Sequence, residues 1–180
     1  SAALGRRSPS FSDHSFRDRV SQLAQGAGPA VAIPQHSRCR ILIDKGTLTT
    51  AYPTITVSGG KGSTLEITYQ EALQSDADDI SSKGNRNEVG QRLMIGRKDR
   101  FHPRGMRDTI LEPLWFRGWR YLELDIRTSD EPLELNALSC RSTGYPLHWK
   151  AKFEADDWFD RLIAPGFRTL ECCTGETYMD

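Results

Sequence analysis

The sequence contains no apolar run near the roughly 18 residues that a membrane-crossing helix requires, which excludes that class of membrane protein. It also lacks an excess of either charge, with 24 Lys and Arg against 24 Asp and Glu. No global field draws such a chain to nucleic acid or anionic lipid, so neither nucleic acid nor membrane is expected as a partner. Cysteine is sparse: Cys39, Cys140, Cys172 and Cys173 have neither the CxxC spacing of a zinc or redox site nor the density of a disulfide scaffold. The neighbours Cys172 and Cys173 would have to close a strained ring to bridge, so free thiols are expected. No GxSxG, P-loop or dinucleotide fingerprint occurs, which leaves serine nucleophiles and nucleotide binding without local support, and no cofactor is implied. The chain opens at Ser1 without an initiator Met, a charged leader or an apolar leader core, the mark of a processed start or of an excerpt.

What remains is an ordinary globular composition. In 180 residues, 37% hydrophobic and 27% charged side chains suffice for one core and exceed what a disordered tail carries. Residues 1–29 are rich in Ser, Arg, Gly and Pro, with weak helical spacing only at Phe16, Val20 and Leu23, and read as a lead-in or linker. From residue 30 the period becomes two. Val31 and Ile33, then Cys39, Ile41 and Ile43, then Ile55 and Val57, then Leu65, Ile67 and Tyr69 alternate with polar residues and are separated by Gly- and Asp-rich turns. Ser75 to Glu88 reads as a polar loop, Leu93 and Ile95 as a resumed strand, Arg97 to Arg107 as a charged stretch, and Leu133 and Leu135 as the start of a last strand ending near Ser142. About seven or eight short strands with no helix between them predict a mainly β domain over residues 30–150, an antiparallel, jelly-roll-like β-sandwich. Near Phe153 the period changes again: Phe159, Leu162, Ile163, Phe167 and Leu170 recur at helical steps, so residues 151–180 read as a C-terminal helical segment, with Pro165 and Gly166 either bending it or splitting it. With no capping Gly or closing strand before Asp180, that segment reads as cut short.

Each chemistry-bearing group has a plainer reading beside it. His14, His36, His102 and His148 lie far apart, so no metal site is expected from spacing. Asp76, Asp78 and Asp79 lack the glycine and the distal Glu of a calcium loop and read as a solvated loop. Arg97, Lys98, Arg100, His102, Arg104 and Arg107 form the one basic run, interleaved only with Phe101, and read as a charged loop or strand face rather than a phosphate-binding surface. Trp115, Phe116, Trp119 and Tyr121 suit either a core strand bulged at Gly118 or a sugar-stacking surface. Glu112, Glu171, Glu176 and Asp180 include candidates for a glycosidase acid or a sugar-hydroxyl ligand, because such enzymes work with paired carboxylates.

Two stretches carry a family likeness. LEPLWFRGWRY, from Leu111 to Tyr121, resembles the strand pair that precedes the catalytic domain in bacterial α-L-rhamnosidases, and FRTLECCTGETYMD, at the end, resembles that family's first catalytic helix running into an Asp-Cys-Pro motif. ILIDKGTLTTAYPTITVSGGKGSTLEITYQEAL and the polar region from Lys83 to Arg92 are similar to strands of the same family's sandwich, so the resemblance spans about residues 31 to 180. It implies an inverting glycoside hydrolase that releases terminal α-L-rhamnose, built of β-domains around an (α/α)6 barrel whose first helix is residues 151–180. In that chemistry one Glu protonates the leaving oxygen and a second activates water, the carboxyls standing about 6.5–9.5 Å apart. By resemblance both follow Asp180, so no catalytic residue is expected within the chain. Asp180 itself would hold rhamnose hydroxyls by charge-assisted hydrogen bonds, with Glu176 one turn before it more simply a cap or surface residue. The expected partner is a rhamnose-containing saccharide or glycoside, with the sandwich packing on the barrel. A stand-alone carbohydrate-binding sandwich using Trp115, Trp119 or Tyr121 is the alternative.

Overall fold

The structure is a computed structural model, and it describes residues 14–76, 79, 84–152, 154, 156–175, 177 and 178. In chain order the elements are α1 (His14–Ala24), β1 (Val31–Ile33), β2 (Arg38–Gly59), β3 (Thr64–Gln70), β4 (Arg97–Phe101), β5 (Thr109–Leu111), β6 (Arg117–Arg127), β7 (Leu133–Ser142) and α2 (Asp157–Cys173). Neighbouring strands follow the order β1-β7-β2-β6-β3-β4, with β5 on β2, and the pairings are antiparallel.

The 22-residue strand β2 joins the two layers. Its first part, Arg38 to Asp44, runs against Arg127 to Tyr121 of β6, and its second, Ala51 to Gly59, runs against Ser142 to Leu133 of β7. Ala51 faces both Arg117 and Ser142 and marks the handover. Just before it the register slips between Asp44 and Thr49, where Gly46 takes φ +83°, a left-handed conformation that a side chain disfavours. One layer therefore holds β2, β6, β3 and β4, the other β1, β7, β2 and β5. Apolar residues from both, among them Ile41, Ile67 and Leu124 of the first and Ile33, Ile55 and Leu135 of the second, meet in one buried cluster. The period-two reading thus describes a sandwich, as expected, and a trailing helix follows it.

Three local departures have physical causes. The bulge expected at Gly118 sits instead on the partner strand, at Lys45 to Leu48, while Gly118 itself pairs regularly with Thr50. Leu93 and Ile95 form no named strand: Leu93 makes only an isolated bridge to Gln74, and the strand begins at the charged residues from Arg97. An edge strand tolerates such a sequence because its outward side chains stay in water and Glu66 on β3 binds both Lys98 and Arg100, at 2.8 and 2.7 Å. Finally, the weak helical spacing in the lead-in is helix α1, and Phe16, Val20 and Leu23 enter the same core as the strands. Burying each such side chain stabilises the fold by about 1.5–3 kcal/mol, so the lead-in from His14 onward is part of the folded body.

Helix α2 runs unbroken for 17 residues through Pro165, which resolves the alternatives for this segment in favour of one helix. Its C-terminal end is tied to the sandwich by polar contacts: Arg168 Nη2 donates to the Leu48 carbonyl at 2.6 Å, and the Tyr145 amide donates to the Thr174 carbonyl at 2.8 Å. Among the described residues no helix is long and apolar enough to cross a membrane.

Candidate functional site

The carboxylates singled out by sequence are not gathered by the fold. Asp180, the expected substrate ligand, and Glu176 lie outside the described residues. Glu171, near the end of α2, is paired with Arg168 at 3.0 Å beside a recess of about 350 Å³ that Thr50, Tyr145 and Cys172 help line. Glu112 follows β5 and accepts hydrogen bonds from Thr54 Oγ1 at 2.7 Å and Arg141 Nη2 at 3.3 Å, so its charge is spent on the sandwich surface. Glu112 and Glu171 share no partner and form no acid–base pair.

The remaining candidates are equally separate. His36 faces Asp130 at 3.4 Å, His102 lies 3.4 Å from Thr64 Oγ1, and among the described residues no group of three His, Cys, Asp or Glu side chains converges as a metal site would require. All four cysteines are free thiols, with Cys39 buried and its pKa pushed up to about 11 by that burial and by nearby Asp125. The basic run is largely neutralised where it forms β4, by Glu66 on Lys98 and Arg100.

The aromatic stretch, by contrast, is divided by the fold. Trp119 and Tyr121 are buried on β6, and the Tyr121 hydroxyl donates to the Arg86 carbonyl at 2.6 Å. Register places Tyr121 beside Asp44 and Gln70 on the outer face, and residues 84–96 fold back over that face to cover it; Arg120 binds Asp44 at 2.9 Å and Asn87 at 2.7 Å in the same place. Trp115, before β6, is 61% exposed. It is braced by Phe116, with ring centroids 5.2 Å apart and 30° between planes, and Phe116 in turn meets Tyr52 edge-on at 6.3 Å.

Trp115 borders a cleft of about 640 Å³ between the start of β6 and the end of β3. Beside it the Arg117 guanidinium makes a two-pronged bond to Asp99, at 3.0 and 2.8 Å, and lies 5.7 Å from the centre of the Tyr69 ring. This bond raises the Arg117 pKa, and burial, with Asp99 close by, pushes the Tyr69 phenol far above its usual value. Gln70 fixes the opposite wall by accepting a hydrogen bond from the Ile95 amide at 2.8 Å. Its lining is mixed, with Trp115 and Phe116 as apolar walls and Gln70, Gln74, Glu71, Arg97 and Arg117 as polar ones. Sequence reading found Trp115 and Phe116 but missed Tyr69, Gln70 and the Asp99–Arg117 pair, since these residues meet only through strand pairing and carry no local spacing signal.

No family model and no curated protein matches the chain. Solved structures similar to it include two rhamnosidases. A GH78 family rhamnosidase of Bacillus sp. GL1 is 18% identical with a TM-score of 0.69, over 91% of this chain and 16% of that one. A rhamnosidase from Klebsiella oxytoca, with rhamnose bound, is 17% identical with a TM-score of 0.53, over 79% of this chain and 28% of that one. The chain spans less than a third of either, and what it shares with them is the fold: a mainly β, antiparallel body of seven strands with a C-terminal helix.

Proposed function

We propose that this chain is a portion of an inverting glycoside hydrolase that releases terminal α-L-rhamnose, comprising the non-catalytic sandwich and the opening helix of an (α/α)6 barrel. The observation that carries this reading is the extent of the likeness, 91% of the chain falling within a rhamnosidase several times its length. The rhamnose bound to the Klebsiella oxytoca rhamnosidase supports the same ligand class here. Helix α2 supports the barrel role, because it turns Trp158, Leu162 and Leu170 to solvent, 62%, 61% and 47% exposed, and such a face needs a partner that the sandwich does not supply.

In this reading the sandwich holds the first barrel helix in place through the Leu48 and Thr174 carbonyls, and the proton-transferring carboxylates come from outside the chain. Asp180 binds rhamnose hydroxyls and transfers no proton. The 180-residue chain therefore shows no turnover of an aryl α-L-rhamnoside, while a protein extended through the barrel does. Turnover by the chain alone would sink the proposal. In the extended protein Asp180→Asn lowers kcat/KM by about 10- to 100-fold, the worth of a hydrogen bond to a charged group, without displacing the pH limits that the acid and base set.

A further inference from the structure

We propose that the cleft beside Trp115 binds a neutral saccharide, with one pyranose ring stacked on the exposed indole. The proposal stands on the cleft alone and does not use the rhamnosidase reading.

The first observation is Gly118. It lies within β6, where glycine weakens a strand, and neither common reason for a glycine applies: its φ is not left-handed, and an added Cβ would meet nothing within 4 Å. What the missing side chain does is leave open the stretch of cleft next to Trp115. The opposite wall shows the contrary case. A Cβ at Gly96 would come within 1.7 Å of the Tyr69 carbonyl oxygen, so glycine there lets that wall close in, and the Gln70 side chain pins it through the Ile95 amide. One glycine keeps the floor clear while the other brings the wall near.

The second observation is the indole itself. Packing on Phe116 holds its plane, so an exposed aromatic face is presented ready-made rather than ordered on binding. The third is charge. Arg97 and Arg117 are matched by Glu71 on the lining and by Asp99, and Arg117 also donates to the Trp115 and Phe116 carbonyls at 3.3 Å. A neutral site with one flat apolar wall and amide and guanidinium groups around it does not select an anion; it suits a ligand with an apolar face and a rim of hydroxyls, which is a sugar ring. The volume, about 640 Å³, lies within the range of small-molecule sites, roughly 300–1,000 Å³.

The test is titration of the 180-residue chain with methyl α-L-rhamnoside, methyl β-D-glucoside and methyl β-D-galactoside, with glycerol as the non-sugar control. The readout is the indole N–H resonances of the four tryptophans, that of Trp115 being assigned by its loss in Trp115→Phe. At least one glycoside should move the Trp115 signal saturably while buried Trp119 stays still. Trp115→Ala should weaken that binding at least about tenfold. Gly118→Ile, which fills open space in a strand that accepts a branched residue, should weaken it as much with the melting temperature unchanged. No saturable shift with any of the three glycosides, or a Gly118→Ile protein that binds as tightly as the parent, overturns the proposal.

Discussion

The sandwich and helix α2 are both amphipathic, yet only the sandwich covers its apolar face. In the sandwich every inward row has a partner: Ile33, Leu65, Ile67, Leu124, Ile126, Leu133 and Leu135 are fully buried against one another, and α1 adds Phe16, Val20 and Leu23. In α2 the apolar stripe leaves Trp158, Leu162 and Leu170 in solvent, while Trp149 packs edge-on to Phe167 at 5.2 Å. The difference shows that apolar patterning reports what an element requires and not whether the requirement has been met. It also separates two outcomes of one pattern: in the sandwich the apolar rows fill a shared core, whereas on α2 three large apolar side chains stay in solvent.

The sharpest way to break this comparison is to truncate one leucine in each region. Leu124→Ala removes a side chain with no exposure and leaves a cavity, a change that costs about 2–5 kcal/mol in urea unfolding. Leu162→Ala on α2, where the side chain is already in water, costs no more than about 0.5 kcal/mol. Equal losses at the two sites would mean that α2 is as much a part of the core as β6.

A smaller effect tests the polar side of the sandwich. Burial alone would raise the pKa of Asp125, but hydrogen bonds from Arg38, at 3.1 and 2.6 Å, and from Arg127 outweigh it and hold the carboxyl at about 2. Its folded pKa lies below the unfolded value of about 3.9, so its contribution is present above roughly pH 4 and is lost as pH falls through about 2. That contribution amounts to about 1–2 kcal/mol, discounted for the exposed arginine partners. Asp125→Asn should therefore flatten the stability curve between pH 4 and pH 2, measured as the urea midpoint at each pH. An unchanged acid slope would place the titrating groups elsewhere.

How much of this was legible beforehand depended on range. Alternation at Cys39, Ile41 and Ile43 and at Leu65, Ile67 and Tyr69 announced their strands, because each face is filled by apolar neighbours from the same body. Strand β4 was half legible: Arg97 to Phe101 reads as a charged loop or a strand face, and the strand is the outcome because Glu66, more than thirty residues away in sequence, neutralises Lys98 and Arg100 across the pairing. Trp119 and Tyr121 could not be told from Trp115 because Trp119 is buried in the core that both layers share, while Tyr121 is covered by a returning loop whose Arg86 carbonyl accepts from its hydroxyl. The candidate cleft was half visible, through Trp115 and Phe116; Gly118 was conspicuous but suggested a bulge, since sequence shows that a glycine is present and not which space it leaves empty.

The least change in stability should accompany the most informative change in association. Leu162→Glu places a charge on the exposed stripe of α2, where it meets solvent and should alter the unfolding free energy by no more than about 0.5 kcal/mol. Should that stripe be the face that meets the barrel, the 180-residue chain carries it uncovered and associates with itself as concentration rises, because apolar surface left in water drives whatever contact is available. The charge would then shift the sedimentation profile towards monomer while leaving the sandwich intact. A chain that stays monomeric at every concentration, with or without the Glu, would mean that α2 tolerates its exposure, and the contrast between a covered core and an uncovered helix face would lose its functional meaning.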